Sequence, residues 1–440
     1  MSATINPLAA ELNAMLEKSP AEPFLSSLGR RIFFPKGIIA QAAEAKKTAR
    51  INATLGIAFK DGKPLILSPL LKQFSGLTVE EIVPYAPTAG IESFRNAWKT
   101  ALLQKNPSLK DVNFSLPVVV PGITAGISLI ADLFLDEDEV ILAADPSWDN
   151  YNLIFSERRN AVLKGIPLFT VASGGSAASL NLAAFEKAIK TEAASGVVRI
   201  ILNFPQNPTG YTPLKSEADA LVAMIKECAE NGASVLVVCD DAYFGLFYEE
   251  NIIKESLFSR FANLHEKVLA VKIDGPTKED YVWGLRTAFV SFASKGLNEA
   301  SYGALEKKCM GLIRSSVSCS NTPAQNLALK TWGESAAAED KKAFYALLHS
   351  RYLVVKQFIA DNPAPATLEP LPFNSGYFMS FRCKENNAPG GAEKLRNALL
   401  KQGIGTIALG DEYLRVTFAA IEEEEIPLVY TAIYETAGKL

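Results

Sequence analysis

One lysine, Lys278, stands in the stretch DGPTKEDYVWGLRTAFVSF between a glycine-proline turn and two acids, and the stretch ends on an apolar run. A lysine amine can bond covalently to a carbonyl carbon and, where its pKa is lowered, serve as a base. Eight residues on, Arg286 in WGLR offers a fixed positive charge of the kind that holds a phosphate. Upstream, NFPQNPTG contains Asn207, and 33 residues later DDAY supplies Asp240 and Tyr243, with Lys278 a further 35 residues along. Taken alone, NFPQNPTG reads as a turn after a strand. In series, the order Asn, Asp, Tyr, Lys, Arg carries chemistry. Lys272 is a second amine, but it lies inside a predicted strand and has no arginine eight residues on, so Lys278 is preferred.

These residues need elements to bring them together. From about Pro117, short β-branched runs alternate with helical periods, the pattern of a mostly parallel sheet covered by helices. PVVVPG ends a strand and ITAGISLIADLFL reads as a helix; VILAADPSW, VVRIILNFP, SVLVVCDDAY, KVLAVKID and RTAFVSF read as further strands. Ser216 is placed to cap a helix whose apolar face is Leu221, Ile225 and Cys228, with Gly232 as its stop. Alternation along the strand puts Asp240 and its neighbour Asp241 on opposite faces, so Asp241 is read as structural, capping the next turn. Gly122, Trp148, Asn207, Asp240, Tyr243 and Lys278 each fall close to a predicted strand end, where ligands sit in open α/β sheets. The expected division is 1–59 as an N-terminal segment contributing to a small domain, 60–340 as a large domain, and 341–440 as a small α+β domain with a helix over Ala392–Lys401.

Composition narrows the classes. Lys+Arg 44 against Asp+Glu 48 leaves no basic excess, which argues against nucleic acid as a partner. The longest apolar runs, such as Ile127–Leu135 with Asp132 inside it, are too short for a membrane span. The leading MSATINPLAAELNAMLEKSP has acids and Asn where a secretory signal has a basic and then an apolar region, so a cytoplasmic location is the default expectation. Cysteines at 228, 239, 309, 319 and 383 are odd in number and lack metal-ligand spacing; they read as reduced thiols, and no metal site is expected. His265 and His349 are assigned no role.

The motif series resembles the fold type I pyridoxal-phosphate-dependent aminotransferases, in particular the class I/II branch that contains aspartate aminotransferase. LGIAFKDGKP (with Gly56), YAPTAG, DPSWDNY, SGYFMSF and YLRVTFA have family-like counterparts in the same order. The resemblance implies pyridoxal 5′-phosphate as cofactor, with Lys278 holding its aldehyde and later acting as base, and Asp240 facing the ring nitrogen. It puts Asn207 and Tyr243 at the ring's 3′-oxygen, and Arg286 with Gly122, Ile123 and Thr124 at the phosphate. Trp148 resembles the ring that stacks on the cofactor. Tyr85 resembles a tyrosine that reaches the phosphate from a neighbouring subunit, implying a homodimer with shared active sites. For substrate, the resemblance implies Arg415 at the α-carboxylate, with Gly56, Trp148 and Asn207 nearby, and Arg314 at a side-chain carboxylate across the dimer.

Two positions depart from the pattern. A serine usual three residues before the lysine is Gly275 here, so Thr277 is the expected replacement donor. The aspartate enzymes carry a histidine where this chain has Tyr151. The implied activity is transfer of an amino group between a dicarboxylic or aromatic L-amino acid and a 2-oxo acid, 2-oxoglutarate being the expected acceptor. A lyase or decarboxylase on the same fold uses the same lysine and aspartate and stays open as the alternative. The effector domain of a transcription regulator would need a DNA-binding domain, and only some 50 residues precede the family-like region.

Overall fold

The structure is a computed structural model that describes residues 5–35, 37–170, 178–386 and 388–440. Seven strands form the main sheet: β1 Val118–Val120, β2 Val140–Asp145, β3 Val162–Pro167, β4 Val197–Asn203, β5 Ser234–Asp240, β6 Val268–Asp274 and β7 Ala288–Ala293. Their order across it is β1-β7-β6-β5-β4-β2-β3. The pairs from β3 to β6 are parallel, and β7 runs antiparallel to both β6 and β1. The mostly parallel α/β sheet expected from the alternating pattern is the one found. β3 escaped the sequence reading because VLKGIP mixes a lysine, a glycine and a proline into its apolar residues, as edge strands do.

The continuous apolar runs of β5 and β6 feed two cores, one on each face of the sheet. Val238, Val271 and Ile273 join the cluster that holds Tyr243 and Tyr377, whereas Val237, Cys239, Val268 and Ala270 join the one that holds Phe258 and Trp98. Side-chain alternation therefore sends Asp240 to the first face and Asp241, Lys272 and Asp274 to the second. The helix Ile123–Phe134 covers the first face with Ile123, Ile127 and Ile130, spaced by four and three. Each such side chain, once buried, contributes about 1.5–3 kcal/mol.

Two local expectations are corrected. Helix Lys215–Glu230 begins before Ser216, which is exposed in its first turn. Glu217 closes that terminus instead, its carboxylate accepting the Leu214 N–H at 2.8 Å and the Tyr211 hydroxyl at 2.6 Å. Asp241 caps no turn of its own; it accepts from Ser256 at 2.6 Å and from Lys272.

A smaller antiparallel sheet joins Leu368–Pro370, Phe378–Glu385, Tyr413–Thr417 and Ile407–Leu409, in that order. Helices Ala392–Lys401 and Ile426–Ala437 accompany it. The N-terminal segment attaches here: Ile51–Asn52 pairs in parallel with Ile404–Gly405, and Thr417 donates to the Ala53 carbonyl at 2.9 Å. Residue 341, the expected boundary, lies within the continuous helix Ser335–Asp361.

Candidate active site

The carboxyl ends of the parallel strands open into a cavity of about 90 Å³. Ile123 and Thr124 line it from the helix after β1, Trp148 from the loop after β2, and Asn203 and Asn207 from the end of β4 and its loop. Asp240, Ala242 and Tyr243 enter from the end of β5, and Lys278 from the four-residue helical turn after β6. Larger cavities of about 230, 550 and 220 Å³ lie elsewhere among the described residues, and none is lined by the residues at the carboxyl ends of β4, β5 or β6; the last sits at their amino ends. Chemistry rather than size singles out this one.

Asp240 is buried, with Oδ2 accepting the Tyr151 hydroxyl at 2.5 Å and Oδ1 accepting the Ala242 N–H at 3.2 Å. Burial pushes its carboxyl up to about 6, against the pull of the Tyr151 bond and the Lys278 charge. Burial likewise lowers Lys278 to about 8, Asp240 opposing the shift and the Arg286 cation assisting it. The Lys278 amine lies 4.5 Å from the centre of the Tyr243 ring. Tyr243 is itself pushed up by burial. Asn203 sets the loop geometry: its amide donates to the Asp240 carbonyl at 2.8 Å and its oxygen accepts the Asn207 N–H at 2.8 Å.

Gly122 precedes the helix Ile123–Phe134 at φ 95°, where a side chain is strained. A Cβ there would stand 2.6 Å from Nη2 of Arg286, so the absent side chain is what lets the guanidinium lie against the helix start. The Gly122 N–H is used by the Val120 carbonyl at 2.8 Å, which leaves the amides of the first helical turn, beginning with Ile123 and Thr124, as the donors facing the cavity. Arg286 adopts a left-handed φ of 52° and donates to the Trp283 carbonyl at 3.2 Å.

Gly275 has a steric cause. A Cβ at that position would meet the Ala288 Cα at 2.7 Å and the Thr287 carbonyl oxygen at 2.9 Å, so β7 excludes a serine. Thr277, the expected replacement donor, is buried, its hydroxyl lies 3.4 Å from the Thr287 carbonyl, and it is not among the residues that line the cavity.

Arg415, on Tyr413–Thr417, is 2% exposed, so it is no surface ion pair. It donates to Asn207 Oδ1 at 3.2 Å and to the Thr54 carbonyl at 3.0 Å, and stacks 4.5 Å over the Phe378 ring. Its Nε has no partner among the described residues. Gly56 approaches the Tyr243 hydroxyl, which would stand 3.9 Å from a Cβ there. Gly122, Arg286, Gly56 and Arg415 thus border the cavity without lining it, whereas Tyr85 and Arg314, like Thr277, are not brought to it. Tyr85 is 89% exposed, and Arg314 is exposed with its guanidinium on the Ser318 hydroxyl at 2.5 Å. Asn203, Ala242 and the Thr54 carbonyl were missed in the sequence, although Asn203, inside NFPQNPTG, and Ala242, inside DDAY, lay in motifs that could have flagged them.

The sequence and the fold that carry this cavity have counterparts among known proteins. The chain belongs to the family of class I and II aminotransferases, whose model matches residues 77–433. A probable aspartate/prephenate aminotransferase of Aquifex aeolicus is 26% identical over 228 residues. That match covers 51% of this chain and 54% of the relative, so the chain spans about half the length of the curated relative it matches. Among solved structures, an aminotransferase of Anaerococcus prevotii superposes with a TM-score of 0.79 at 23% identity, covering 92% of this chain and 97% of that one. A kynurenine aminotransferase of Pyrococcus horikoshii gives 0.77 at 15% identity, covering 96% and 98%. No helix among the described residues is long and apolar enough to cross a membrane.

Proposed function

We propose that the chain is a pyridoxal 5′-phosphate-dependent aminotransferase that exchanges an amino group between an L-amino acid and a 2-oxo acid in two half-reactions. The observation that carries this reading is the meeting of Lys278 and Asp240 in one cavity, the amine lowered to about 8 and the carboxylate held by Tyr151. The residues fit the cofactor. Lys278 would hold its aldehyde, Asp240 its ring nitrogen, Asn207 and Tyr243 its 3′-oxygen, and Arg286 with the Ile123 and Thr124 amides its phosphate. When bound, the cofactor supplies the electron sink that lets a substrate Cα–H bond break.

The chain's own groups do the rest. Arg415, with an unpartnered Nε, receives the α-carboxylate and so orients Cα toward Lys278. Lys278 Nζ would take up and return the Cα proton; a pKa near 8 leaves a useful fraction of free amine at neutral pH. Asp240 stays ionised because its own pKa, about 6, lies below neutrality. Trp148 walls one side of the cavity. Tyr85, so fully exposed, is assigned to the cavity of a second copy in a homodimer, and Arg314 likewise to the partner's substrate.

An amino-donor screen tests the reading. Protein loaded with the cofactor is mixed with single dicarboxylic, aromatic and aliphatic amino acids, and the conversion of cofactor to its amine form is followed by absorbance. At least one donor class is expected to convert it stoichiometrically and to yield the matching 2-oxo acid. Release of carbon dioxide, or of an eliminated side-chain fragment, without conversion would replace the transferase reading by the lyase alternative.

A further inference from the structure

The second face of the sheet holds a buried ionic cluster that the proposed reaction does not use. Lys272, with no exposed side chain, lies within ion-pair reach of Asp241 and 3.2 Å from Asp274, both carboxylates 4% exposed. Ser256 donates to Asp241 at 2.6 Å, Trp98 donates to Asp274 at 3.0 Å, and the Phe244 ring centre lies 4.9 Å from the Lys272 amine. Two carboxylates and one ammonium leave a charge of −1 inside the core that holds Phe258 and Trp98. Such groups are costly to bury, and apolar replacements of a complete buried ion cluster are often neutral or stabilising. Stability is therefore a poor reason for its presence.

Its position in the chain suggests a better one. Asp241 directly follows Asp240, and Asp274 ends β6 four residues before Lys278. In register, Asp240 lies beside Ile273, between the two β6 residues of the cluster. The Asp241 N–H donates to the Ile273 carbonyl at 3.0 Å, extending the pairing one residue past β5. Beyond β6 the chain turns at Gly275 into four helical residues, so Asp274 is the last strand residue fixed before Lys278.

We propose that Lys272 is a positioning residue: by binding Asp241 and Asp274 from behind the sheet, it fixes the spacing between Asp240 and Lys278 in the cavity in front. The inference rests on Asp240 and Lys278 being the working pair of the proposed function. The charged groups that bear on them are few. Asp240 is faced by Tyr151, Tyr243, Lys278 and Asp241; Lys278 is faced by Asp240, Arg286 and the Tyr243 ring. Lys272 also bears on Cys239 and Glu279.

The test uses the full chain without cofactor. The pH dependence of Lys278 acylation by acetic anhydride, read by mass spectrometry, gives the titration midpoint of its amine. In the triple variant Asp241→Asn, Lys272→Met, Asp274→Asn the buried charge is removed and Asp240 is no longer tied from behind. Both changes lower the midpoint. The expected fall is about one pH unit, the size of losing one unit charge at roughly 10 Å in a medium of effective dielectric constant about 20, with the melting temperature kept within a few degrees. Cofactor retention should fall about tenfold. Asp274→Asn alone removes the same unit of charge but keeps the Lys272–Asp241 pair and the acceptor for Trp98, and is expected to give a fall of that one-charge size with cofactor retention kept. A cofactor affinity unchanged in the folded triple variant would overturn the proposal, the midpoint then reporting the lost charge alone, and would make the cluster structural only. A tenfold loss of cofactor retention in the triple variant of a protein that converts no amino donor would leave the positioning role standing and remove the transferase reading.

Discussion

Two lysines six residues apart sit on opposite faces of the sheet, each beside an aspartate at the end of β5, and their proton affinities move in opposite directions. Burial disfavours the charge of both. Lys272 is nevertheless raised, because Asp241 and Asp274 together outweigh desolvation. Lys278 is lowered to about 8, because it has one carboxylate, Asp240, and a cation, Arg286, on the other side. The number and sign of neighbours, not depth, decide which lysine becomes a reagent. The linkage signs are opposite too. Lys278, with a depressed pKa, contributes stability that is present above the ordinary lysine value and is lost as pH falls through about 8, whereas the contribution of Lys272 is lost only at pH above that ordinary value.

The largest effect expected from this contrast is in Lys278→Ala. The visible absorbance of lysine-bound cofactor should vanish and the first half-reaction should slow by about 10³-fold or more, since anchor and base are lost together. Lys272 remains intact in that variant, fully buried and doubly paired. A retained absorbance band would mean that another amine anchors the cofactor, and the distinction between the two lysines would collapse.

A smaller effect comes from moving the cation that sets Lys278 apart. In Gly122→Ala the new methyl must displace the Arg286 guanidinium, which would stand 2.6 Å away, and the φ of 95° adds strain. With the cation further off, the Lys278 midpoint should rise above about 8, and cofactor retention in equilibrium dialysis should weaken about tenfold. An unchanged midpoint would assign the low value to burial alone.

The sequence carried the ends of this comparison better than the middle. β4 to β7 were legible because strands buried on both faces read as unbroken apolar runs, while β3 was hidden by its edge composition. Asn207, Asp240, Tyr243 and Lys278 were legible as an ordered series, and they line one cavity. What spacing could not carry was contact between distant segments. That Gly275 lies against Ala288, that Arg415 donates to the Thr54 carbonyl, and that Asp241 binds Lys272 rather than capping a turn all depend on how strands and loops pack. Tyr85 and Arg314, read from resemblance, are proposed to serve a second copy, and the described residues of one chain bring neither to the cavity.

The smallest effect should come from Tyr151→Phe, which removes the 2.5 Å bond to Asp240 and leaves the Asp241–Lys272 pair behind it untouched. Burial already raises Asp240 to about 6, so its stabilising contribution to the cofactor-free protein is present below the ordinary carboxylate value and is lost as pH rises through 6. The tyrosine bond acts against that loss, because a hydroxyl donates more strongly to the charged carboxylate than to the neutral acid. Removing the hydroxyl would therefore push Asp240 higher still. Chemical denaturation is expected to show a difference between wild type and variant of about 1 kcal/mol at pH 4, growing to about 2 kcal/mol at pH 8. A difference that stayed constant across that range would mean the bond serves packing alone. It would also leave Asp240 tuned by burial, by the Ala242 N–H and by the charges of Lys278 and Asp241, placing control of the site with the strand ends rather than with Tyr151.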